Sequence, residues 1–191
     1  MTTVAAAAAG VQEPDGGGGG GGEGRLEVEK VLRAWEAAVP SEVVGGDEQK
    51  INRLVIRTAV RVKLRWSPEQ VIHFLDSLLS TQAVYRENIL RIGDAYGFSV
   101  SADPAVLLRW CQILVRHNCQ DHLPVITRFL AAPGQQDPSR VWRAVVEKGR
   151  AEPRWKFHAQ EAWRQLEAGL EPEARREAED ILREGRCLGP F

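Results

Sequence analysis

The sequence predicts an all-α fold, on three observations. Apolar residues recur three and four positions apart along most of the chain, the spacing that lines one face of a helix. No stretch alternates apolar and polar residues with the period of two that a half-buried strand requires. Helix-start signals (Ser67-Pro68, Asp103-Pro104, Asp137-Pro138) and glycine or proline stops follow at short intervals, which leaves room for eight or nine short helices with links of a few residues.

Taken in order, residues 1–24 are rich in alanine, then glycine; such a stretch buries nothing to offset its ordering entropy and reads as a disordered tail. It lacks the preceding strand and the Lys-Ser or Lys-Thr ending of a phosphate loop. The first helix is expected at about 25–38, with Leu26, Val31 or Leu32, and Trp35 inward, ended by Pro40 and Gly45-Gly46. The second, at about 47–65, starts at Asp47 and puts Ile51, Val55 and Val62 on one face with Leu54 nearby. Its other side carries Lys50, Arg53, Arg57 and Arg61, followed by Lys63 and Arg65.

Ser67-Pro68-Glu69-Gln70 is a capping box with proline in the first turn. The helix it opens has Val71, Ile72, Leu75, Leu78 and Leu79 on one side. The next, about 85–96, stops at Gly97, and Asp103-Pro104 opens a central helix closed by Asn118. That helix is apolar nearly all round (Leu107, Leu108, Trp110, Cys111, Leu114, Val115), so it should be buried, with Arg109, Gln112 and Arg116 as its one wet stripe. Further helices are expected at about 121–131, from Asp137-Pro138 to Gly149, at about 153–168 and at about 172–184. Short links make neighbours antiparallel, and stacked pairs of such helices form a right-handed α-solenoid of the armadillo or HEAT type. No fixed repeat period is visible, so the array should be irregular. The chain divides into the tail 1–24, N-terminal helices 25–66, and a helical solenoid domain 67–186 on which those first helices should pack.

Composition narrows the function classes. A formal net charge of −1 gives no global field toward nucleic acid or membrane. No apolar run approaches the roughly 20 residues of a membrane span, and the N-terminus lacks the basic start and aliphatic block of a secretory signal. Cys111, Cys119 and Cys187, odd in number and without CxxC spacing, read as reduced thiols of a cytoplasmic or nuclear protein.

The residues from Trp66 to about Val145 carry a resemblance: Trp66 through Val71, Phe74-Leu75, and the stretch 90–118 with Tyr96, Phe98, the Ser99–Asp103 link, Val106 and Arg109-Trp110. These resemble the C-terminal helical domain of the leukotriene hydrolase and aminopeptidase B group of zinc aminopeptidases. The resemblance implies an all-α domain that packs, as the last of several, on a thermolysin-like catalytic domain and closes one end of its substrate cleft. That group's catalytic signature, HExxH with a distal Glu, is absent: the histidines are His73, His117, His122 and His158, at the wrong spacing. Ala105 and Leu107 stand where the family tends to carry an acidic residue and an extra Arg. Gln135 and Asp137 stand where the leukotriene hydrolase type has a basic pair that reads a substrate carboxylate, with Arg140 keeping a later basic position.

The other tempting sites have plain structural readings. His117, Cys119 and His122 lie close in sequence but meet no zinc spacing, and fit a helix end followed by a helix start. His117 suits a helix C-terminus and Asp121 the next N-terminus. Trp142, Trp155, Phe157 and Trp163 fit a core, with an aromatic interface as the alternative. The expectation is therefore a protein without catalytic residues, metal or cofactor, acting as a protein–protein interaction module. Its candidate partner-binding residues are Lys50, Arg53, Arg57, Arg61, Arg109, Arg116 and Arg140, and its favoured partner is an acidic protein. Two alternatives stay open: an accessory or detached domain partnered with a zinc aminopeptidase, and nucleic-acid binding through the basic stripe 50–65.

Overall fold

The computed structural model of the chain describes residues 21–132 and 137–187. Among these residues the fold is all α-helical: α1 (Gly21–Glu36), α2 (Glu48–Leu64), α3 (Pro68–Ser80), α4 (Arg86–Tyr96), α5 (Pro104–Arg116), α6 (Leu123–Ala131), α7 (Ser139–Ala151), α8 (Pro153–Leu166) and α9 (Pro172–Glu184). Single 3-10 turns precede α5 and α6 at Phe98–Val100 and Gln120–His122. The odd-numbered helices pack in a row, α1 on α3, α3 on α5, α5 on α7 and α7 on α9. Of the even-numbered helices, α2 packs on α4 and α6 on α8, while α1–α2, α5–α6 and α7–α8 join the two sets. Chain order and this alternation follow from links too short to carry a helix far from its predecessor.

The starts of α3 and α5 are encoded locally. At α3 the Ser67 hydroxyl accepts from the Gln70 backbone N–H (3.4 Å) while Gln70 Oε1 accepts from the Ser67 N–H (3.0 Å), the reciprocal box the sequence predicts. At α5 the Asp103 carboxylate accepts from Ala105 N–H at 2.8 Å. Gly97 ends α4 in the left-handed region (φ 75°), where a Cβ would be strained. The α7 start differs from the other two. Asp137, itself at φ 50°, turns its carboxylate chiefly to the Ser139 hydroxyl (2.7 Å) and to the Arg140 guanidinium (2.7 Å), with the Arg140 backbone N–H beside them.

Five rings run in one line through the core: Trp66, Phe74, Tyr96, Phe98 and Trp110, with successive centroids 5.4, 6.0, 5.5 and 5.4 Å apart. They are the aromatic residues that carry the family resemblance, so that motif encodes packing between α3, α4 and α5. Gly93 belongs to the same arrangement: a Cβ there would lie 2.3 Å from Trp110 Cζ2, so only glycine lets the indole lie against α4. A buried polar relay ties in the first two helices. Trp35 Nε1–H donates to the Tyr96 hydroxyl (2.9 Å), which donates to the Thr58 hydroxyl, which donates to the Leu54 carbonyl (2.8 Å). Asn88 Nδ2, fully buried, donates to the Ala38 carbonyl at 2.8 Å. Residues 25–66 are thus fastened to α3 and α4.

The structure shifts several expected positions. α1 begins at Gly21, and Gln70 Nε2 donates to the Gly24 carbonyl at 3.2 Å; residues 1–20 of the expected tail lie outside the described residues. Val28 is buried while Leu26 is 56% exposed, because the inner face of α1 is set by Val28, Val31 and Trp35 against α3. Gly149 does not end its helix. It lies inside α7, where a Cβ would come within 3.0 Å of the Lys156 backbone of α8, so it is a close-approach position. The segment 121–131 splits into the 3-10 turn and α6, which starts at Leu123.

Candidate functional site

A groove of about 410 Å³ runs across α5 and α7 beside the end of α3. Leu79, Val115, Ala144 and Ala151 form its apolar parts; Gln82, Gln112, Arg116, Glu147 and Lys148 supply its polar ones. Small side chains make it: Ala144 and Ala151, seven residues apart on one side of α7, leave space where larger residues would meet α5. Lys148 is held by Glu152 (2.9 Å) and donates to the Arg116 carbonyl (3.4 Å). The side chains of Gln82, Gln112 and Arg116 have no hydrogen bond or ion pair within the described residues. Such free amides and a free guanidinium can serve the main chain and a carboxylate of another polypeptide.

His117 follows α5 directly and is half-buried. Burial lowers its pKa most, against a backbone hydrogen bond at Leu78; the nearby Arg116 and Lys148 charges lower it further. Burial thus opposes the cationic form that a helix C-terminus favours.

The sequence-predicted arginines do not gather in one patch. Arg109 binds Asp76 of α3 (2.7 Å) and the Ala105 carbonyl (3.2 Å), so it bridges two helices. Arg140 is exposed but ion-paired with Asp137 one turn away. That bond and, more strongly, the Ser139 hydroxyl hold the Asp137 carboxyl below the usual range. Arg116 borders the groove. Lys50, Arg53 and Arg57 are exposed on α2, which packs on α1 and α4. The side chain of Arg61, and Gln135, lie outside the described residues.

The 117–122 segment is tied to its neighbours through Asn118 and Asp121. Asn118, at φ 59°, accepts from Trp155 Nε1 (2.7 Å) and Gln120 Nε2 (2.9 Å) through its side chain, and from Arg86 Nε (3.3 Å) through its carbonyl. Asp121 pairs with Arg86 at 2.7 Å instead of capping α6. Among the described residues no group of three His, Cys, Asp or Glu side chains is placed to hold a metal ion. The three cysteines are free and buried. Burial pushes the Cys111 thiol up to about 12 and Cys119 to about 11, so both are protonated, unreactive side chains at neutral pH. Trp142, Trp155 and Trp163 are core, but Phe157 is 58% exposed.

Sequence reasoning missed the groove itself, Gln82 and Glu147, and the outward position of Ile56 and Val60. The signal was present in the small residues of α7 at 144 and 151 and in the spacing 53, 56, 57, 60 on α2, but only packing shows which faces stay open.

Residues 66–182 match the family described as leukotriene A4 hydrolase, C-terminal. Aminopeptidase B of Rattus norvegicus is 28% identical over 109 residues, covering 56% of this chain and 15% of that protein. Aminopeptidase RNPEPL1 of Homo sapiens is 27% identical over 122 residues, 63% of this chain and 16% of that protein. Aminopeptidase B of Homo sapiens is 32% identical over 72 residues, 37% of this chain and 11% of that protein. The chain thus spans no more than 16% of the length of these relatives. The match is to the C-terminal domain of that family. No helix among the described residues is long and apolar enough to cross a membrane.

Proposed function

The chain belongs to the leukotriene A4 hydrolase C-terminal family, and from that premise we propose that it is a non-catalytic helical accessory module that works by docking on another protein. The observation that carries this reading is the groove bounded by α3, α5 and α7, whose Gln82, Gln112 and Arg116 side chains have no partners among the described residues. Stacked helices give such a groove a fixed shape, and this array is read as an irregular solenoid of the armadillo type. The names of the relatives make the rest of an aminopeptidase the first candidate partner. The buried, unpaired thiols fit work in a reducing compartment, cytoplasmic or nuclear.

The test mixes the chain with rat aminopeptidase B truncated of the segment that matches it, and follows complex formation by sedimentation velocity. A one-to-one complex is expected, and Ala144→Trp, which fills the groove, should weaken it about tenfold or more. No complex, or a complex indifferent to Ala144→Trp, would refute docking through this groove.

A further inference from the structure

The outward side of α2 carries a feature that the groove does not use. Lys50, Arg53 and Arg57 stand exposed there, and none has an acidic partner within the described residues. Arg53 Nε donates to the Gln49 carbonyl of its own helix at 3.3 Å. The acids at the start of the helix serve elsewhere: Asp47 accepts from the Lys50 backbone N–H (3.0 Å) and Glu48 from Arg91 (2.8 Å). Beside these cations lie Ile56, 70% exposed, and Val60, 52% exposed. Positions 53, 56, 57 and 60 are three and four apart, so the two aliphatics form one strip flanked by arginine. The core does not need this strip, because Ile51, Thr58 and Val62 already fill the inner face of α2.

An aliphatic strip beside unpaired cations is complementary to a helix with the reverse pattern, apolar along one line and acidic beside it. Phosphates would neutralise the arginines but leave Ile56 and Val60 in water, and the face has no aromatic ring on which a base could stack. We propose that this face of α2 docks an acidic amphipathic helix of a partner protein. The proposal rests on the protein-binding reading above and assigns it a second surface.

The test uses the full chain and a fluorescent peptide of about 20 residues, long enough to hold a helix, with leucines along one face and glutamates beside them. Fluorescence anisotropy should show saturable binding that weakens about tenfold as salt is raised from about 50 to about 300 mM. Arg53→Glu with Arg57→Glu should abolish it and restore it for a peptide carrying lysines in place of the glutamates. Ile56→Ser should weaken it several-fold, and Ala144→Trp should leave it unchanged, which separates this surface from the groove. Absence of saturable binding, or equal binding when glutamines replace the glutamates, overturns the proposal. Tighter binding to a short DNA duplex or to phosphatidylserine vesicles overturns it in favour of those ligands.

Discussion

The part of the molecule from α1 to α5 and the part from α6 to α9 are both helical and both close-packed, yet they are held together differently. In the first, polar groups reach across elements. Trp35, Tyr96 and Thr58 link α1, α4 and α2 through one buried relay. Arg91 of α4 reaches Glu48 of α2 (2.8 Å), and Arg109 of α5 reaches Asp76 of α3 (2.7 Å). In the second, the ion pairs are local (Arg140 with Asp137, Lys148 with Glu152, Arg164 with Glu161), and the links across elements end on main-chain carbonyls: Gln160 of α8 on Cys187, Lys148 of α7 on Arg116 and Arg128 of α6 on Ser99. The ring pair there, Trp142 and Trp163 at 6.4 Å, stands in place of the five-ring line. Buried polar links specify which helix sits on which, whereas local pairs stabilise a helix wherever it packs. The first part should be the more unique and the more sensitive to single changes.

The largest expected contrast is between two glycines. Gly93→Val drives its side chain into Trp110, whose ring is fixed in the aromatic line, and should cost about 3 kcal/mol. Gly169→Val, in the second part, is exposed and its added Cβ meets only the Leu166 carbonyl at 3.7 Å; a loss under about 1 kcal/mol is expected. Urea denaturation of both variants checks this, and equal losses would erase the contrast.

A middle-sized effect is expected at Tyr96. Tyr96→Phe leaves the buried Trp35 N–H without its acceptor and should cost about 1–3 kcal/mol. Burial chiefly pushes the Tyr96 hydroxyl up from 10.0 to about 12, so the fold prefers the protonated phenol. Its contribution is complete below pH 10 and is lost as the pH rises through that value toward 12. Urea midpoints taken from neutral to alkaline pH should fall less steeply in Tyr96→Phe than in the parent.

The smallest contrast sets a cross-element ion pair against a local one. Arg91→Met should cost about 1 kcal/mol, since the side chain is 23% exposed and joins two helices. Arg164→Met, 62% exposed and paired within its turn, should change stability by under about 0.5 kcal/mol. Indistinguishable melting temperatures would mean the cross-links add no more than local pairs do.

Much of the fold was legible because its signals are local. The Ser67–Gln70 box, the Asp103 cap and the Gly97 stop each act within four residues, and α3, α4 and α5 start and end close to where those signals fall. The buried character of α5 also followed from its pattern, with Trp110, Cys111, Ile113 and Leu114 fully enclosed. Less of the candidate site was legible. Charge on a helix face is readable, but whether an arginine is free or held by Asp76 depends on a helix 33 residues away in sequence.

The sequence by itself determined that the chain is all α, where most helices begin and stop, and that Trp66, Phe74, Tyr96, Phe98 and Trp110 belong to one recurring pattern. Helix formation and capping are short-range, so a window of a few residues contains the physics. Only the tertiary structure decided that Leu26 faces water and Val28 does not, that Thr58 is buried to receive Tyr96, and that Gly149 is a contact rather than a stop. It also decided that Ala144 and Ala151 leave a groove beside Arg116. Each of these depends on which neighbour arrives at a face, and that neighbour is chosen by packing over long chain separations that no local window holds.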